Sequence, residues 1–319
     1  MKASVVIPTK NGGPSFAKVL DALLQQETPW EFEILVIDSG STDDTVENCK
    51  QRSVPVLSIP PAEFGHGRTR NLGISKTGGE FIALITQDAL PANNQWLFNL
   101  VSAVERAPDV AGAFGRHLPY PEARPCLKRD LKLHFDHFLR WPSVIRRSDD
   151  EQRYEREEGY RQMMHFFSDN NACLRRSVWV KYPYPDVDFA EDQIWAKTII
   201  DAGFAKAYAD NAVVYHSHNY SVIEAGRRAF DESMALNRLF GYKSCPTIAH
   251  LLATILYSIA ADTQYVASNC HGVDELRQIV TIPFLNFSRM VGRYLGTKWE
   301  RLPKWMVRTI SLDKALQAS

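Results

Sequence analysis

The chain has 319 residues, 45% of them apolar and 23% charged, with 37 basic side chains balancing 37 acidic ones. That length and usage suit one large domain with an appendage or two modest domains and exclude a disordered or fibrous chain, while the zero net charge excludes a global attraction for nucleic acid. The five cysteines (Cys49, Cys126, Cys173, Cys245, Cys270) lie far apart without CxxC spacing, so reduced thiols in a cytoplasmic protein are expected rather than a zinc site or a disulfide framework.

The apolar run at Ala3 to Pro8 is too short for a signal peptide. It opens instead as a strand, Ser4 to Pro8. Phe16, Val19, Leu20, Leu23 and Leu24 then recur at helical spacing, and Phe32 to Ile37 reads as a second buried strand. Ser41 to Asp44 has the form of a capping box, opening a helix that runs through Val46 to about Gln51. A strand near Val54 to Ile59, a helix near Arg68 to Ser75, a strand at Phe81 to Ile85, a helix at Trp96 to Arg106 and a strand at Val110 to Gly115 follow. This alternation is the signature of an α/β fold with a mostly parallel central sheet flanked by helices.

From Pro119 to Phe167 the pattern loosens into charged and aromatic segments, either an acceptor-facing insertion or solvated helix. Order returns at Asp169 to Leu174, at the helical run Asp192 to Ala202 and at the strand Ala212 to Tyr215. Beyond Tyr220 helix follows helix, and the longest apolar stretch, Thr247 to Ala261, is too short to span a bilayer comfortably. The expected organisation is one large domain over residues 1–219, in two halves (1–115 and 116–219), followed by a helical region over 220–319.

In a parallel sheet, ligands gather beyond the carboxyl ends of the strands. Four such ends carry polar groups: Thr9 and Asn11; Asp38, Ser39 and the residues to Asp43; Thr86, Gln87 and Asp88; and His216 with His218. Together they favour a diphosphate site. Asp38 can accept hydrogen bonds from a base or ribose, or simply build its turn. His66, Arg68, Arg70 and Asn71 add cations and a helix N-terminus suited to a diphosphate, with one of the arginines expected in a surface salt bridge. Gly65 to Gly67 lacks the third glycine of a dinucleotide fingerprint, and Gly73 to Gly79 lacks the Lys-Ser/Thr of a P-loop, so neither hydride transfer nor ATP hydrolysis is indicated.

The succession SVVIPTKN, LVIDSGSTDDT, GHGRTRNLG, ITQDALP and FAEDQIWA resembles the family 2 inverting glycosyltransferases of the GT-A fold, over roughly residues 3 to 218. HGRTRNLG paired with TQDALP, then SDNNACLRRSVW and AEDQ, is similar to bacterial rhamnosyltransferases that use dTDP-rhamnose to build surface polysaccharide such as O antigen. The resemblance implies a donor site of Thr9, Asn11, Asp38, Ser39, His66, Arg70, Asn71, Gln87 and Asp88. It implies a divalent ion, Mg2+ or Mn2+, on Asp88 and His216, with His218 in reserve. The usual DxD reads Thr86-Gln87-Asp88 here, so the ion is expected to arrive largely with the nucleotide sugar.

Inversion needs a base on the acceptor hydroxyl, and Glu191 and Asp192 supply two candidates at a helix start, where the dipole favours the anion. The resemblance assigns Asp192 as base and Glu191 as support. Asn170 and Asn171 are placed under the sugar or acceptor, or in a turn, and Trp195 lines an acceptor groove or packs in the core. The acceptor implied is a glycan or lipid-linked glycan. The late run Arg289, Arg293, Lys298, Trp299, Arg301, Lys304, Trp305 and Arg308 suits peripheral contact with the inner face of the plasma membrane, or a helical interface in a homo-oligomer.

Overall fold

The computed structural model describes residues 1–187, 189–270 and 272–312. They form two compact units, the first of residues 1–118 and 134–216, the second of 119–133 and 217 onward. Residues 119–133, expected with the half over 116–219, thus belong to the second unit.

The first unit is built on nine strands: β1 (Ala3–Thr9), β2 (Phe32–Asp38), β3 (Val56–Ser58), β4 (Phe81–Ile85), β5 (Leu90–Pro91), β6 (Val110–Leu118), β7 (Val144–Ile145), β8 (Asn171–Arg175) and β9 (Ala205–Tyr215). Their order is β3-β2-β1-β4-β8-β6-β9-β5, with β7 also on β9. Pairing is parallel through β3, β2, β1 and β4, as the β-branched runs predict. β8 then inserts antiparallel between β4 and β6, and β9 is again parallel to β6. Consequently β1, β2, β4, β6 and β9 all end at one edge, and β8 begins there. The sheet is therefore mixed rather than mostly parallel in its second half.

Four helices fix the first half: α1 (Gly13–Leu24), α2 (Thr45–Gln51), α3 (His66–Ser75) and α4 (Trp96–Glu105). Phe16, Val19, Leu20 and Leu23 of α1 and Trp96, Leu97, Leu100, Val101 and Val104 of α4 share one core with Val5, Ile7, Val36, Ala83 and Ile85 of the strands. The alternating strand positions face the other way: a Cβ on Gly73 of α3 would stand 2.4 Å from Val6 Cγ1. No side chain larger than hydrogen lets α3 lie this close to the sheet.

The Ser41 capping box does not form. Gly40, at φ +88°, turns the chain directly after β2, and Ser41 Oγ donates to Asp38 Oδ1 at 2.5 Å instead of capping. The helix starts later, at Thr45, whose amide donates to Asp43 Oδ1 at 3.1 Å.

Helix α5 (Pro125–Phe138) crosses the division between the units, and α6 (Glu151–Arg156), α7 (Glu158–His165), α8 (Arg176–Trp179) and α9 (Glu191–Asp201) complete the first. The second unit continues through α10 (Val222–Phe240), α11 (Ile248–Asn269), α12 (Val273–Arg277), α13 (Ile282–Thr297) and α14 (Lys304–Ile310). Ser221 and Glu224 form a reciprocal capping box on α10, which ends at Gly241 in the left-handed region, φ +73°. Asp262 of α11 is buried but paired, accepting from Arg129 at 2.8 Å and Asn286 at 2.7 Å. No helix among the described residues is long and apolar enough to cross a membrane.

Helices α10 and α13 meet backbone to backbone. A Cβ on Gly292 would stand 2.1 Å from the Gly226 carbonyl oxygen, which a real side chain cannot tolerate. Gly292→Ala should therefore lower stability by about 1–3 kcal/mol, the usual cost of overpacking. A urea midpoint equal to that of the parent protein would show that the two helices separate freely.

Candidate active site

The common strand edge gathers most of the residues singled out above. A pocket of about 290 Å³ opens there, with Pro8, Thr9 and Lys10 after β1, Ser39 after β2, and Thr86, Gln87 and Asp88 after β4. Its remaining wall is Pro61, Phe64, His66 and Arg70. Gln87 fixes the floor: its Oε1 accepts from Thr9 Oγ1 at 2.7 Å and the Lys10 amide at 2.8 Å, while its Nε2 donates to the Lys10 carbonyl at 3.2 Å. Ser39 Oγ donates to the Thr9 carbonyl. Thr86 Oγ1 is buried at the wall with no hydrogen-bond partner among the described residues. Hydroxyls, amides, an ammonium and the Phe64 ring make a lining suited to a polar anion with a flat apolar part.

Two expected donor residues serve the loops behind this pocket. Asp38 is 3% exposed and its carboxylate accepts from Ser41 Oγ, the Ser41 amide and the Gly40 amide. Asn11, at φ +50°, accepts from the Thr42 amide at 2.8 Å and so ties the β1 turn to the β2 turn. Both brace the wall from outside the lining. Asn71 faces away from the pocket as well: Nδ2 donates to the Tyr184 carbonyl, and Oδ1 accepts from Trp179 Nε1 and the Tyr184 amide. Its Oδ1 and one of its two amide N–H groups are engaged by the protein, and it is not among the residues of the pocket wall. Arg68 makes the expected surface salt bridge, to Asp186 at 3.2 Å.

Asp88 Oδ2 and His216 Nε2 lie 3.6 Å apart within the first unit. A carboxylate and an imidazole at that separation form an edge that two ligands of one ion can span, and mixed O/N ligation fits Mn2+, or Mg2+ with waters. His117 packs against the His216 ring, centroids 5.4 Å apart, and is 6% exposed. Burial, then the neighbouring His216, pushes its pKa well down, so a neutral ring supports His216.

The second constellation lies around Arg70 of α3. Its Nη1 donates to Glu191 Oε1 at 2.6 Å, and its Nε faces Asp169 Oδ2 at 3.3 Å without the alignment of a hydrogen bond. Tyr184 Oη donates to Asp169 Oδ1 at 2.6 Å, and the Asp169 amide reaches Asp192 Oδ2 at 3.4 Å. Arg70, Glu191 and Asp169 are buried at 4%, 6% and 2% exposure, whereas Asp192 keeps an accessible face. Burial raises the Asp169 pKa to about 7. Asp192 is held well above the usual carboxylate range, by the density of protein around it and then by the Glu191 and Asp169 carboxylates. The helix dipole does not keep Asp192 an easy anion; burial, and after it the neighbouring carboxylates, outweigh it.

Asp169 is the residue that sequence reasoning passed over in favour of Asn170 and Asn171. Ligand groups are expected after parallel strands, but β8 runs the other way, so the residues before it reach the edge. Asn171 itself is fully buried: Oδ1 accepts from Trp96 Nε1, and Nδ2 donates to the carbonyls of Arg116 and Ala212. It is a sheet-bracing residue, and the acceptor expectation for it is corrected. Trp195 is likewise core, 1% exposed, with Nε1 donating to the Tyr182 carbonyl and its ring against Phe167 and Tyr184. Asn170 remains partly exposed at the edge. Gly67 in GHGR serves packing, since a Cβ there would stand 2.1 Å from the Pro185 carbonyl oxygen.

A family model described as glycosyl transferase family 2 matches residues 4–180. The O-antigen chain rhamnosyltransferase RfbN of Salmonella typhimurium is 31% identical over 326 residues, covering 99% of this chain and 96% of that protein. The O-antigen chain rhamnosyltransferase WbaN of Salmonella anatum is 27% identical over 322 residues, covering 98% and 94%. Among solved structures, the mannosyltransferase PcManGT from Pyrobaculum calidifontis, in complex with GDP-Man and Mn2+, superposes at a TM-score of 0.58 and 17% identity, covering 94% of this chain and 88% of its own. Residues 1–349 of S. aureus TarS in complex with UDP-GlcNAc superpose at 0.52 and 14% identity, covering 94% and 92%. These likenesses establish a GT-A type α/β fold.

Removing the shared cation should be more damaging than removing any one anion. Arg70→Ala leaves Glu191 and Asp169 buried without a counter-charge, and a loss of about 3–5 kcal/mol is expected in chemical denaturation. A loss no larger than that of a surface arginine such as Arg68→Ala would show that the cluster is solvated.

Proposed function

The chain belongs to glycosyl transferase family 2, and from that premise we propose that it transfers L-rhamnose from dTDP-rhamnose to a glycan or lipid-linked glycan in bacterial surface polysaccharide synthesis, with inversion at the anomeric carbon. It is a glycosyltransferase. The rhamnosyl reading rests on the two O-antigen chain rhamnosyltransferases that align with nearly the whole chain. The fold alone does not choose the sugar, since one structural neighbour is bound to GDP-Man and another to UDP-GlcNAc. The acceptor reading places the reaction on the cytoplasmic side, where nucleotide sugars are made.

The observation that carries the mechanism is a partly exposed Asp192 at the same strand edge as the pocket of about 290 Å³, beside a glutamate already committed to an arginine. In this reading the nucleotide diphosphate occupies the pocket, with the Phe64 ring beside the base and the Lys10 ammonium and Thr9 and Ser39 hydroxyls available to phosphate or ribose oxygens. Asp88 and His216 would hold the divalent ion. When bound, that ion neutralises charge developing on the leaving diphosphate. Asp192 accepts the proton of the acceptor hydroxyl as that oxygen attacks the anomeric carbon from the face opposite the leaving group. Glu191 and Asp169 position this base through Arg70, and the partly exposed Asn170 is the amide left for the acceptor.

The raised pKa of Asp192 suits a base that must take a proton from a hydroxyl, because an ordinary carboxylate is a weak acceptor. Glu191 is the poorer candidate: its Oε1 is occupied by Arg70, and it is buried.

Asp192→Asn should lower transfer by at least about 10²-fold while donor affinity, measured by calorimetry, is unchanged; retained turnover would overturn the assignment. Asp88→Ala should abolish ion-dependent release of free nucleotide diphosphate, and dTDP-rhamnose should exceed other nucleotide sugars in a mass-spectrometric transfer screen. Activity should rise with pH along a limb set above the ordinary carboxylate range, because only ionised Asp192 accepts the proton. Asp169→Asn removes one facing negative charge and should move that limb to lower pH. The stability linked to Asp169 has the opposite sense: it is fully present below the unfolded value of 3.8 and lost as pH rises through about 7, so the same variant should flatten the pH dependence of unfolding.

A further inference from the structure

Helix α11 is apolar on two sides. Ile255, Asp262 and Val266 turn inward, where Val266 packs with Ile282 and Leu285 of α13. On the outside Ile248, Leu252, Leu256 and Tyr257 are 57–70% exposed. Ile248, Leu252 and Leu256 recur every fourth residue and so form one stripe along the helix. The helix carries no Lys, Arg or Glu, and its one Asp, Asp262, is buried against Arg129. Val273, Val280, Phe284 and Phe287 add further exposed apolar side chains within the same unit. A helix that is apolar on both sides is normally covered on both.

Charge identifies the cover. The second unit has sixteen Lys and Arg against ten Asp and Glu, a surplus of six, whereas the first has twenty-one against twenty-seven. The neutral whole chain conceals two oppositely charged units. Exposed Arg277, Arg301, Lys304 and Arg308 contribute to the surplus, with the exposed indole of Trp305 among them. Two copies meeting through this unit would bring like charges together. An anionic bilayer offers hydrocarbon to the stripe and negative headgroups to the basic side chains.

We propose that the second unit docks peripherally on an anionic lipid surface, seating Ile248, Leu252, Leu256 and Tyr257 of α11 at the boundary of headgroups and acyl chains. The contact differs from the one expected in the late basic run alone. Arg289, the first residue of that run, is held within the unit by Asp130 at 2.7 Å and is not available to headgroups. The proposal is independent of the transferase reading, because it uses none of the residues at the strand edge.

The test is co-sedimentation of the full chain with phosphatidylglycerol-containing vesicles and with neutral phosphatidylcholine vesicles. Binding to the anionic vesicles alone, weakened by salt and reduced about tenfold or more by the double substitution Leu252→Glu and Leu256→Glu, is the expected result. Because that variant adds charges to a helix, its thermal unfolding is compared with the parent. If it does not fold, Arg301→Glu with Lys304→Glu serves in its place and should also reduce binding. Equal partitioning to both vesicle types, binding unaffected by the substitutions, or a concentration-dependent dimer in sedimentation velocity that Leu256→Glu dissociates would each overturn the proposal, the last by making a second copy the cover.

Discussion

The buried guanidinium of Arg70 is the constraint around which the catalytic half is organised. It sits on α3, yet its partners come from the turn before β8 and from the first residue of α9. These segments are separated by 99 and 121 positions in sequence. A charge removed from water must be met by opposite charge and hydrogen bonds, so Arg70 is compatible with burial only if all three segments arrive together. The fold is in that sense conditional on the site. Gly67 and Gly73 contribute to the same end, letting α3 lie close enough to the 184–186 segment and to the sheet for the guanidinium to reach both acids.

This arrangement also divides labour among neighbouring carboxylates. Glu191 and Asp169 are turned to Arg70, and Asp192, next along the helix, keeps a face to the outside. Burial of Asp192 raises its pKa, and one cation among three acids leaves the Glu191 and Asp169 carboxylates to raise it further. The elevated proton affinity of Asp192 therefore results first from the protein packed around it and then from how the neighbouring acids are held. The pocket at the strand edge is ordered differently, with Gln87 and Ser39 bonded to the segment after β1.

Much of this was legible in the sequence. The β-branched runs locate β1, β2 and β4 to within a residue or two because those strands are buried on both faces, and buried strands read as continuous apolar segments. Thr9, Ser39, Gln87, Asp88, His66 and Arg70 line one pocket because parallel strands end together. What escaped was anything set by reversed direction or by tertiary satisfaction. Asp169 precedes an antiparallel strand, and no local pattern announces that reversal. Asn71, Asn171 and Trp195 look like site residues by type, but their polar atoms are consumed by distant backbone groups, which only the folded chain reveals. The division of Pro119 to Leu133 into the second unit was likewise hidden, since a helix shared between two units has one continuous periodicity.

The Gln87 amide, joined at both ends to the segment after β1, has a consequence for how a ligand is chosen. Its three hydrogen bonds exist before any ligand arrives, so the pocket floor is ordered during folding and that ordering cost does not fall on association. Part of the discrimination among ligands then comes from fit against an outline that Gln87 already holds in place.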